Sequence, residues 1–163
     1  MVYGVNMKSY VILHNIRSIH NVGSIFRTAD AVGVTKIFLT GYTPTPVDRF
    51  SRPRKDLAKV ALGAEKDIPW EYFKNPSGLI RKLRAVGVFV VAIEQAPRAI
   101  NYKKARTRIK FPVAFVYGNE VEGITPKILK ECDIIAEIPM SGKKESLNVS
   151  VSAGITLFSL LKK

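Results

Sequence analysis

The stretch that decides the fold is Ile138-Pro139-Met140-Ser141-Gly142-Lys143-Lys144-Glu145-Ser146-Leu147-Asn148-Val149-Ser150-Val151-Ser152-Ala153-Gly154-Ile155-Thr156-Leu157-Phe158. The apolar run before it is typical of a buried strand, and Pro139 ends that strand because proline cannot donate to a sheet ladder. After a polar loop, Ser146 is expected to cap a final helix, whose apolar residues recur at helical spacing: Val151, Ile155, Phe158 and Leu161. Open α/β sheets bind ligands in loops between a strand end and a helix start. The stretch therefore predicts a ligand pocket.

The rest of the chain alternates apolar runs with helical patterns. Buried strands are predicted at Ser9–His14, Val34–Leu39, Val88–Ile93, Pro112–Tyr117 and Ile134–Ile138. The first helix is expected to follow Asn21 as its N-cap and to end at Gly33, and later helices begin at the Asn75-Pro76 and Thr125-Pro126 pairs. Strands separated by helices normally pair in parallel. We therefore expect an α/β fold with a mostly parallel sheet, helices on both faces and a single domain over residues 1–163.

The composition is strongly basic, with 26 Lys and Arg against 13 Asp and Glu and a net charge of +13. Such an excess favours a polyanionic partner, although basic residues can also serve solubility alone. No apolar run of about 18 residues is present, which disfavours a membrane and leaves nucleic acid as the leading partner. Met1–Lys8 lacks the layout of a signal peptide, so a cytoplasmic protein is expected.

The residues that bind metals are few. Cys132 is the only cysteine, which excludes an internal disulfide and a cysteine-built metal site, and it is expected to be a small core residue. His14 and His20 are too few and too loosely placed for a metal site; His14 is expected at a strand end, and His20 could at most touch RNA. No metal is therefore expected.

Two basic segments are candidate phosphate contacts. The first is the proline-rich loop Gly41–Pro53 and the residues after it, with Arg49, Arg52, Arg54 and Lys55. The second lies within residues 101–110 and contains Lys103, Lys104 and Arg106. A solvated loop or linker without a partner is the alternative for both segments. Trp70, Tyr72 and Phe73 could stack on bases, but aromatic residues in this setting more often pack against the protein.

Three motifs, taken together and in order, resemble the SpoU (TrmH-type) branch of the SPOUT superfamily. They are Asn21-x-Gly23-x-x-x-Arg27-Thr28-Ala29, then Gly118-Asn119-Glu120-x-x-Gly123, then Ile138-Pro139-Met140-x-Gly142 with Ser146-Leu147-Asn148-Val149-Ser150. Each motif is weak alone, but the three at these separations are specific. With the Gly63-Ala64 turn and the strand end at Ala92 to Glu94, the match covers nearly the whole chain.

The resemblance implies an S-adenosylmethionine-dependent methyltransferase acting on a ribose 2′-hydroxyl of tRNA or rRNA. It implies a deep trefoil knot near the C-terminus, which the general rule against knots disfavours, and a homodimer with catalytic residues near the subunit interface. The cofactor-binding residues it implies are Ala92, Glu94, Gly118, Ile138, Met140, Ser146 and Leu147. The catalytic residues it implies are Asn21, Arg27, Glu120, Ser146 and Asn148.

The chemistry would be an in-line attack of the 2′-oxygen on a sulfonium methyl, which requires alignment and loss of one proton. Arg27 holds its own proton strongly, so we expect it to grip a phosphate or ribose oxygens, with a base role as the alternative. Glu120 is expected to orient Arg27 or Asn21, or else to cap the helix that begins near Ile124. Ser146 and Asn148 are candidates both for helix caps and for holding substrate or cofactor.

Two other classes of protein compete with this interpretation. A catalytically silent RNA-binding or ribosome-assembly protein on the same fold would account for the charge equally well. A dinucleotide-dependent oxidoreductase would need a Gly-x-Gly-x-x-Gly turn after the first strand, and residues 18–23 contain only one glycine. The sequence therefore favours the methyltransferase and does not identify the target nucleotide.

Overall fold

The computed structural model describes residues 7–161, and these residues form one seven-stranded sheet. Its strands are β1 (Ser9–His14), β2 (Lys36–Thr40), β3 (Trp70–Phe73), β4 (Phe89–Ile93), β5 (Ile100–Asn101), β6 (Val113–Tyr117) and β7 (Ile134–Glu137). They lie in the order β3-β2-β1-β6-β4-β7-β5, and every neighbouring pair is parallel. The predicted parallel α/β architecture is confirmed for this part of the chain.

Helices cover both faces of the sheet, as predicted. One face carries α1 (Ile19–Val32), α2 (Lys55–Ala61), α3 (Ala64–Asp67), α5 (Tyr102–Ala105) and α7 (Val149–Leu161). The other face carries α4 (Pro76–Ala85) and α6 (Pro126–Glu131). Alternation along β1 shows the division, since Val11 and Leu13 pack with the first set while Ile12 packs with the second. None of the helices within residues 7–161 is long and apolar enough to span a membrane.

The centre of the sheet is its most buried part. All five residues of β6 are buried, and the large rings of Phe115 and Tyr117 are almost wholly enclosed. Burying a side chain of this size stabilises the fold by about 1.5–3 kcal/mol. The Tyr117 hydroxyl lies 2.7 Å from the Thr156 hydroxyl of α7, so the buried polar end of the ring has a partner. This contact fixes α7 against the middle of the sheet.

The start of α1 differs from the prediction that Asn21 is its N-cap. The helix begins three residues earlier, at Ile19, and Ser18 is the cap: its hydroxyl accepts the Asn21 N–H at 3.2 Å. Ser18 and Asn21 are both good capping residues, so residue type alone could not decide between them. The predicted end is confirmed, because Gly33 has the left-handed backbone (φ 82°) that closes the helix.

At the start of α7, the cap expected at Ser146 is wrong and the other candidate, Asn148, is confirmed. The cap is Asn148, whose side-chain oxygen accepts the Ser150 N–H at 2.8 Å. Of the apolar stripe named from the sequence, Val151 and Phe158 are 48% and 44% exposed. The buried side of the helix consists of Val149, Ala153, Thr156, Leu157 and Leu160. Because α7 is apolar on most of its circumference, periodicity could not identify the face that packs on the sheet.

Several smaller predictions concern packing residues. Trp70 and Phe73 pack against the core from the edge strand β3, as expected, whereas Tyr72 is largely exposed and donates its hydroxyl to the Gly41 carbonyl at 2.9 Å. Cys132 packs against the second core, where burial raises the pKa of its thiol to about 12. His14 ends β1 as expected, and burial lowers its pKa. Of the segment Met1–Lys8, residues 1–6 lie outside the described residues.

Candidate active site

A cleft of about 310 Å³ opens at the carboxyl ends of β6, β4 and β7, which are neighbours in the sheet. Its walls come from three segments, within residues 93–95, 117–123 and 137–152. All three follow the carboxyl end of a parallel strand, where α/β sheets bind their ligands. The ligand pocket predicted from the C-terminal stretch therefore has a physical counterpart at the predicted place.

Six of the seven residues implied as cofactor-binding line this cleft: Glu94, Gly118, Ile138, Met140, Ser146 and Leu147. Ala92 does not line it. The Ala92 side chain is fully buried in β4 and packs in the core on the α4–α6 face, while its neighbour Ile93 lines the cleft. Successive strand residues point to opposite faces, so the alternation along β4 could have indicated Ile93 instead. Tyr117 and Val149 also line the cleft without having been singled out.

The loop after β6 is held tightly against β4. A Cβ on Gly118 would lie 2.6 Å from Ile124 Cγ1 and 2.7 Å from the Gly123 carbonyl carbon, so no side chain fits there. The Glu94 carboxylate accepts the Ile124 N–H at 2.8 Å through one oxygen and the Gln95 N–H at 2.9 Å through the other. Glu94 therefore positions this loop as well as lining the cleft.

Asn119, which the sequence marked only as part of a motif, is the most fully bonded side chain of that loop. It is 5% exposed. Its side-chain nitrogen donates to the Asn15 carbonyl at 2.9 Å and to the Tyr42 hydroxyl at 2.8 Å. Its oxygen accepts the backbone N–H groups of residues 121 and 122. With every polar atom satisfied, Asn119 joins the β6 loop to the loops after β1 and β2.

A polar cluster beside the cleft brings together residues that are about 100 positions apart. Glu120 accepts the Asn21 side-chain amide at 3.0 Å, and the Asn21 oxygen in turn accepts the Asn148 amide at 3.1 Å. The backbone N–H groups of Arg17 and Ser18 also donate to the Glu120 carboxylate, at 3.0 and 3.2 Å. We call Asn21, Glu120 and Asn148 the amide–carboxylate cluster. Three of the five residues implied as catalytic therefore lie in contact.

The electrostatic state of Glu120 follows from these contacts. Partial burial raises the pKa of its carboxyl, but the hydrogen bonds from the Arg17 backbone, the Asn21 amide and the Ser18 backbone outweigh burial. The net result is a pKa below its ordinary value. Glu120 is therefore ionised near neutral pH, and it orients Asn21 rather than capping a helix.

The other two candidate catalytic residues lie apart from the cluster. Ser146 is exposed and lines the cleft without a hydrogen bond to the rest of residues 7–161. The Arg27 side chain is also exposed and, within the same residues, makes no hydrogen bond or ion pair. It lies six residues after Asn21 on α1, which places the two side chains about 120° apart around the helix axis. A single copy of the chain does not bring Arg27 to Asn21.

The charge of the cleft is opposite to that of the chain. Four carboxylates line it, from Glu94, Glu120, Glu137 and Glu145, and no lysine, arginine or histidine is among its lining residues. A cleft of this kind favours a small molecule that carries positive charge. Residues 7–161 contain no group of three or more His, Cys, Asp or Glu side chains placed to hold a metal ion.

The residues predicted to bind RNA lie in two separate places. Arg49, Arg52, Arg54 and Lys55 follow β2, whereas Lys103, Lys104 and Arg106 follow β5. These strands are second and seventh in the sheet, so five strand spacings of about 4.8 Å place the two strands roughly 24 Å apart. Arg52 forms an ion pair with Asp48 at 2.7 Å. Both groups lie on segments that follow the carboxyl ends of their strands, and the cleft opens at the same edge of the sheet.

The fold and the site together define a class of protein: a parallel α/β ligand-binding domain with an acidic small-molecule cleft and an adjacent polar cluster. Over residues 8–158 the chain matches the SpoU rRNA Methylase family. The chain belongs to this family.

The similar proteins are larger than this chain. The 23S rRNA (guanosine-2′-O-)-methyltransferase RlmB of Ralstonia nicotianae is 34% identical over 152 residues, which are 93% of this chain and 57% of that protein. An AdoMet-bound rRNA methyltransferase from Sinorhizobium meliloti superposes with a TM-score of 0.81 at 35% identity and covers 94% of this chain and 55% of its own. The A. aeolicus TrmH/SpoU tRNA modifying enzyme superposes with a TM-score of 0.82 at 27% identity, and the match covers 96% of this chain and 75% of that enzyme. The chain spans a little over half the length of the curated relatives it matches.

Proposed function

We propose that this chain transfers a methyl group from S-adenosylmethionine to a ribose 2′-hydroxyl of tRNA or rRNA. The observation that carries the proposal is the amide–carboxylate cluster beside an acidic cleft. The named relatives are rRNA and tRNA methyltransferases or modifying enzymes, and the net charge of +13 suits a polyanionic substrate.

The cleft fits S-adenosylmethionine in size and in charge. Its volume of about 310 Å³ lies within the range of roughly 300–1,000 Å³ that is usual for small-molecule sites. Ile138, Met140 and Leu147 offer apolar surface to an adenine ring, and the four carboxylates suit a sulfonium and an ammonium group. The pyrophosphate of a dinucleotide is anionic and would be bound favourably by basic side chains, but no lysine, arginine or histidine lines the cleft. The bound cofactor would supply an electrophilic methyl group.

The amide–carboxylate cluster is proposed to position the ribose. Glu120 is ionised and holds Asn21, and Asn21 accepts from Asn148, so two side-chain amides have fixed orientations. Fixed donors and acceptors next to the methyl group would align the 2′-oxygen for in-line attack. With its lowered pKa, Glu120 is a weak base, so a positioning role fits it better than proton removal.

Arg27 is proposed to reach the site from a second copy of the chain, which makes the active form a homodimer. Two observations support this arrangement. Arg27 is exposed and lies about 120° around the α1 axis from Asn21. An apolar surface that includes Leu147, Val151 and Phe158, at 38–48% exposure, lies on and next to α7, which packs against α1. From the partner subunit, the guanidinium would grip a phosphate or the ribose oxygens and assist proton loss.

The cofactor is tested first, by calorimetric titration of the folded protein with S-adenosylmethionine and with S-adenosylhomocysteine. Saturable binding of both, followed by transfer of labelled methyl groups to unfractionated tRNA or rRNA lacking the modification, is the expected result. No heat with either ligand, together with retained RNA binding, would support the catalytically silent RNA-binding protein instead. Mapping the labelled nucleotide would then identify the target.

The dimer is tested by mixing two inactive variants, Arg27→Ala and Asn148→Ala, after partial unfolding and refolding together. If Arg27 and Asn148 of different subunits form one site, half of the dimers are mixed and each mixed dimer has one intact site of two. The mixture should then regain about one quarter of wild-type turnover. No recovery, in a mixture shown by light scattering to contain dimers, would place both residues in one subunit.

Three further features belong to this proposal. We propose that residues 1–163 act as one methyltransferase domain, that the protein works in the cytoplasm, and that its C-terminal part forms a deep trefoil knot. The support for the knot is family membership. Cysteines placed at the two ends, in a Cys132→Ser background, would allow the folded chain to be closed into a circle. After denaturation, a knotted circle should migrate faster than an unknotted circle of equal length.

A further inference from the structure

The loop between β2 and α2 has an exposed aromatic residue at its tip, which the predicted phosphate-binding role of its basic residues does not explain. Phe50 lies at its tip and is 61% exposed, although it is a large apolar side chain. Two guanidinium groups flank its ring: the central carbon of Arg49 lies 4.7 Å from the ring centroid, and that of Arg52 lies 5.0 Å away. An exposed aromatic ring between cations has the composition of a surface that takes nucleic acid bases.

The tip of this loop is an ordered turn. Asp48 organises it, since one carboxylate oxygen accepts the N–H groups of Phe50 and Arg52 at 2.8 and 3.0 Å. The other oxygen accepts both Nε and Nη2 of the Arg52 side chain, at 2.8 and 2.7 Å. Val47 and Pro53 close the turn through an antiparallel bridge. Phe50 is therefore held in solvent by its own turn, which lowers the entropy cost of using it as a contact.

Arg49 and Arg52 differ in their freedom. Arg52 is fixed by its ion pair with Asp48. Arg49 is exposed and, within residues 7–161, has the Phe50 ring as its contact and no ion pair. An exposed cation–π contact is weak enough to be exchanged, so Arg49 can leave the ring for a phosphate. That movement would leave a ring face open to a base.

The turn is also connected to the candidate active site. Tyr42, at the start of the same loop, receives the hydrogen bond from the buried Asn119, which directly precedes Glu120. The strand before the loop, β2, is two positions from β6 in the sheet, which corresponds to about 10 Å. A nucleotide stacked at the tip could therefore belong to the same RNA strand as the nucleotide at the cluster.

We propose that Phe50 is a stacking platform for an unpaired base of the RNA substrate, with Arg49 moving to the adjoining phosphate. This inference rests on the proposed function and specifies its substrate class: the RNA has a single-stranded segment next to the methylated nucleotide. Paired bases do not present a free face to a protruding ring, so an intact duplex would not use the platform.

The test measures RNA binding of the full chain by fluorescence anisotropy. The probes are a fluorescein-labelled 12-nucleotide RNA without self-complementarity and the same RNA annealed to its complement. Phe50→Ala should weaken binding of the single strand about 10-fold, the loss expected for one base stack, and leave duplex binding within about twofold. For Phe50→Ala, the slope of the logarithm of the RNA-binding constant against the logarithm of the salt concentration should equal that of wild type. Arg49→Ala should instead lower the slope by about 0.7, the value for one phosphate on a single strand.

Two further variants sharpen the result. Phe50→Trp in a Trp70→Phe background should retain affinity, and its indole fluorescence should be quenched when the single strand binds. Val86→Ala removes an apolar side chain that is even more exposed, at 74%, and far from the loop in sequence, and it should leave RNA binding unchanged. Single-strand binding of Phe50→Ala within about twofold of wild type, an equal loss for duplex, or an unquenched indole would overturn the proposal.

The outcome is separable from that of the proposed function. Binding of S-adenosylmethionine and methyl transfer are measured on the same preparations. A wild-type protein that transfers methyl groups while Phe50→Ala binds RNA normally would overturn only the platform. A protein that stacks bases on Phe50 but transfers no methyl group would overturn only the enzymatic activity.

Discussion

Glu120→Gln is the substitution that tests the amide–carboxylate cluster most directly. The carboxylate accepts three hydrogen bonds at 3.0–3.2 Å, from the backbone of Arg17 and Ser18 and from Asn21. Glutamine keeps the shape, but it loses the charge and must turn its NH₂ group toward one of these donors. A hydrogen bond to a charged group contributes about 1 kcal/mol more than a neutral one. Because Glu120 is only half-buried, we discount the resulting sum of about 3 kcal/mol by half.

The expected loss of stability is therefore about 1.5 kcal/mol, which corresponds to roughly 3–6 °C in Tm for a chain of this size. The same change frees Asn21 and, through it, Asn148, so methyl transfer should fall by about 10- to 100-fold. Calorimetric melting and transfer of labelled methyl groups measure the two effects. Binding of S-adenosylmethionine, measured by titration, should weaken by less than about threefold, since the apolar lining and the other three glutamates of the cleft are untouched.

Glu122→Gln is the matched control. Glu122 lies two residues away, is exposed, and its carboxylate makes no hydrogen bond or ion pair with the rest of residues 7–161. Glu122→Gln removes the same charge as Glu120→Gln but breaks no side-chain contact. Tm and turnover of Glu122→Gln should therefore stay within experimental error of wild type. If Glu120→Gln and Glu122→Gln gave the same Tm within about 1 °C and the same turnover, the cluster would have no energetic or catalytic role.

The pH dependence of stability gives an independent check on Glu120. Its folded-state pKa lies below its ordinary value of 4.5, so its contribution is fully present above that value. The contribution is lost as the pH falls through the folded-state pKa, because the unfolded chain then binds the proton more readily. The Tm difference between wild type and Glu120→Gln should therefore be constant from pH 7 to about pH 5.5 and shrink in more acidic buffers. A difference that grows on acidification would contradict the assignment.

Three further predictions address other parts of the site. Gly118→Ala should destabilise the cleft loop by about 1–3 kcal/mol and weaken S-adenosylmethionine binding. Gly142→Ala, whose Cβ meets nothing within 4 Å, should change neither stability nor binding. Thermal melting measures the stability of the two variants, and titration measures their affinity for S-adenosylmethionine. Asn148→Asp keeps the helix cap but cannot donate to its partner amide, so Tm should be maintained while turnover falls at least about 10-fold; equal turnover would reduce Asn148 to a cap. Replacing Lys103 and Lys104 by Ala should lower the salt slope of RNA binding by about 0.7–0.9 per lost contact, and an unchanged slope would remove them from the interface.

Local sequence patterns predict five of the seven strands within residues 7–161 but miss β3 and β5, which are short and only partly buried. The apolar run Pro112–Tyr117 predicts a buried strand, and all five residues of β6 are buried. Gly33 predicts a left-handed helix end, and it has one. These features depend on residues within a few positions of each other, where burial and backbone geometry follow directly from residue type.

The errors occur where two neighbouring residues are equally suited to one role. Ser18 and Asn21 are both capping residues, and so are Ser146 and Asn148. In each pair the tertiary contact decides: Asn21 is held by Glu120, and Asn148 is placed where it both caps α7 and reaches Asn21. The family motifs indicate the candidate catalytic residues. They do not reveal that Arg27 lies about 120° around the α1 axis from Asn21 and apart from the amide–carboxylate cluster.

Phe50 shows a different limit. The sequence offers Trp70, Tyr72 and Phe73 as candidates for stacking on bases, and no local pattern distinguishes Phe50 within its basic loop. Only the structure shows that Asp48 folds this loop into a turn and leaves Phe50 exposed between two guanidinium groups. Exposure of one ring depends on contacts around the whole turn, which residue type does not encode.

The sequence by itself determined the α/β class, the basic character, the edge of the sheet at which the cleft opens and the motifs of the family. The tertiary structure alone decided which motif residues touch, that the cleft is acidic within a basic protein, and that Asn119 and Glu94 hold its loops. The physical reason is range: strand and helix formation depends on neighbours along the chain. The charge of a cleft and the bonds of its polar side chains depend on segments about 50 to 100 residues apart, which only the folded chain brings together.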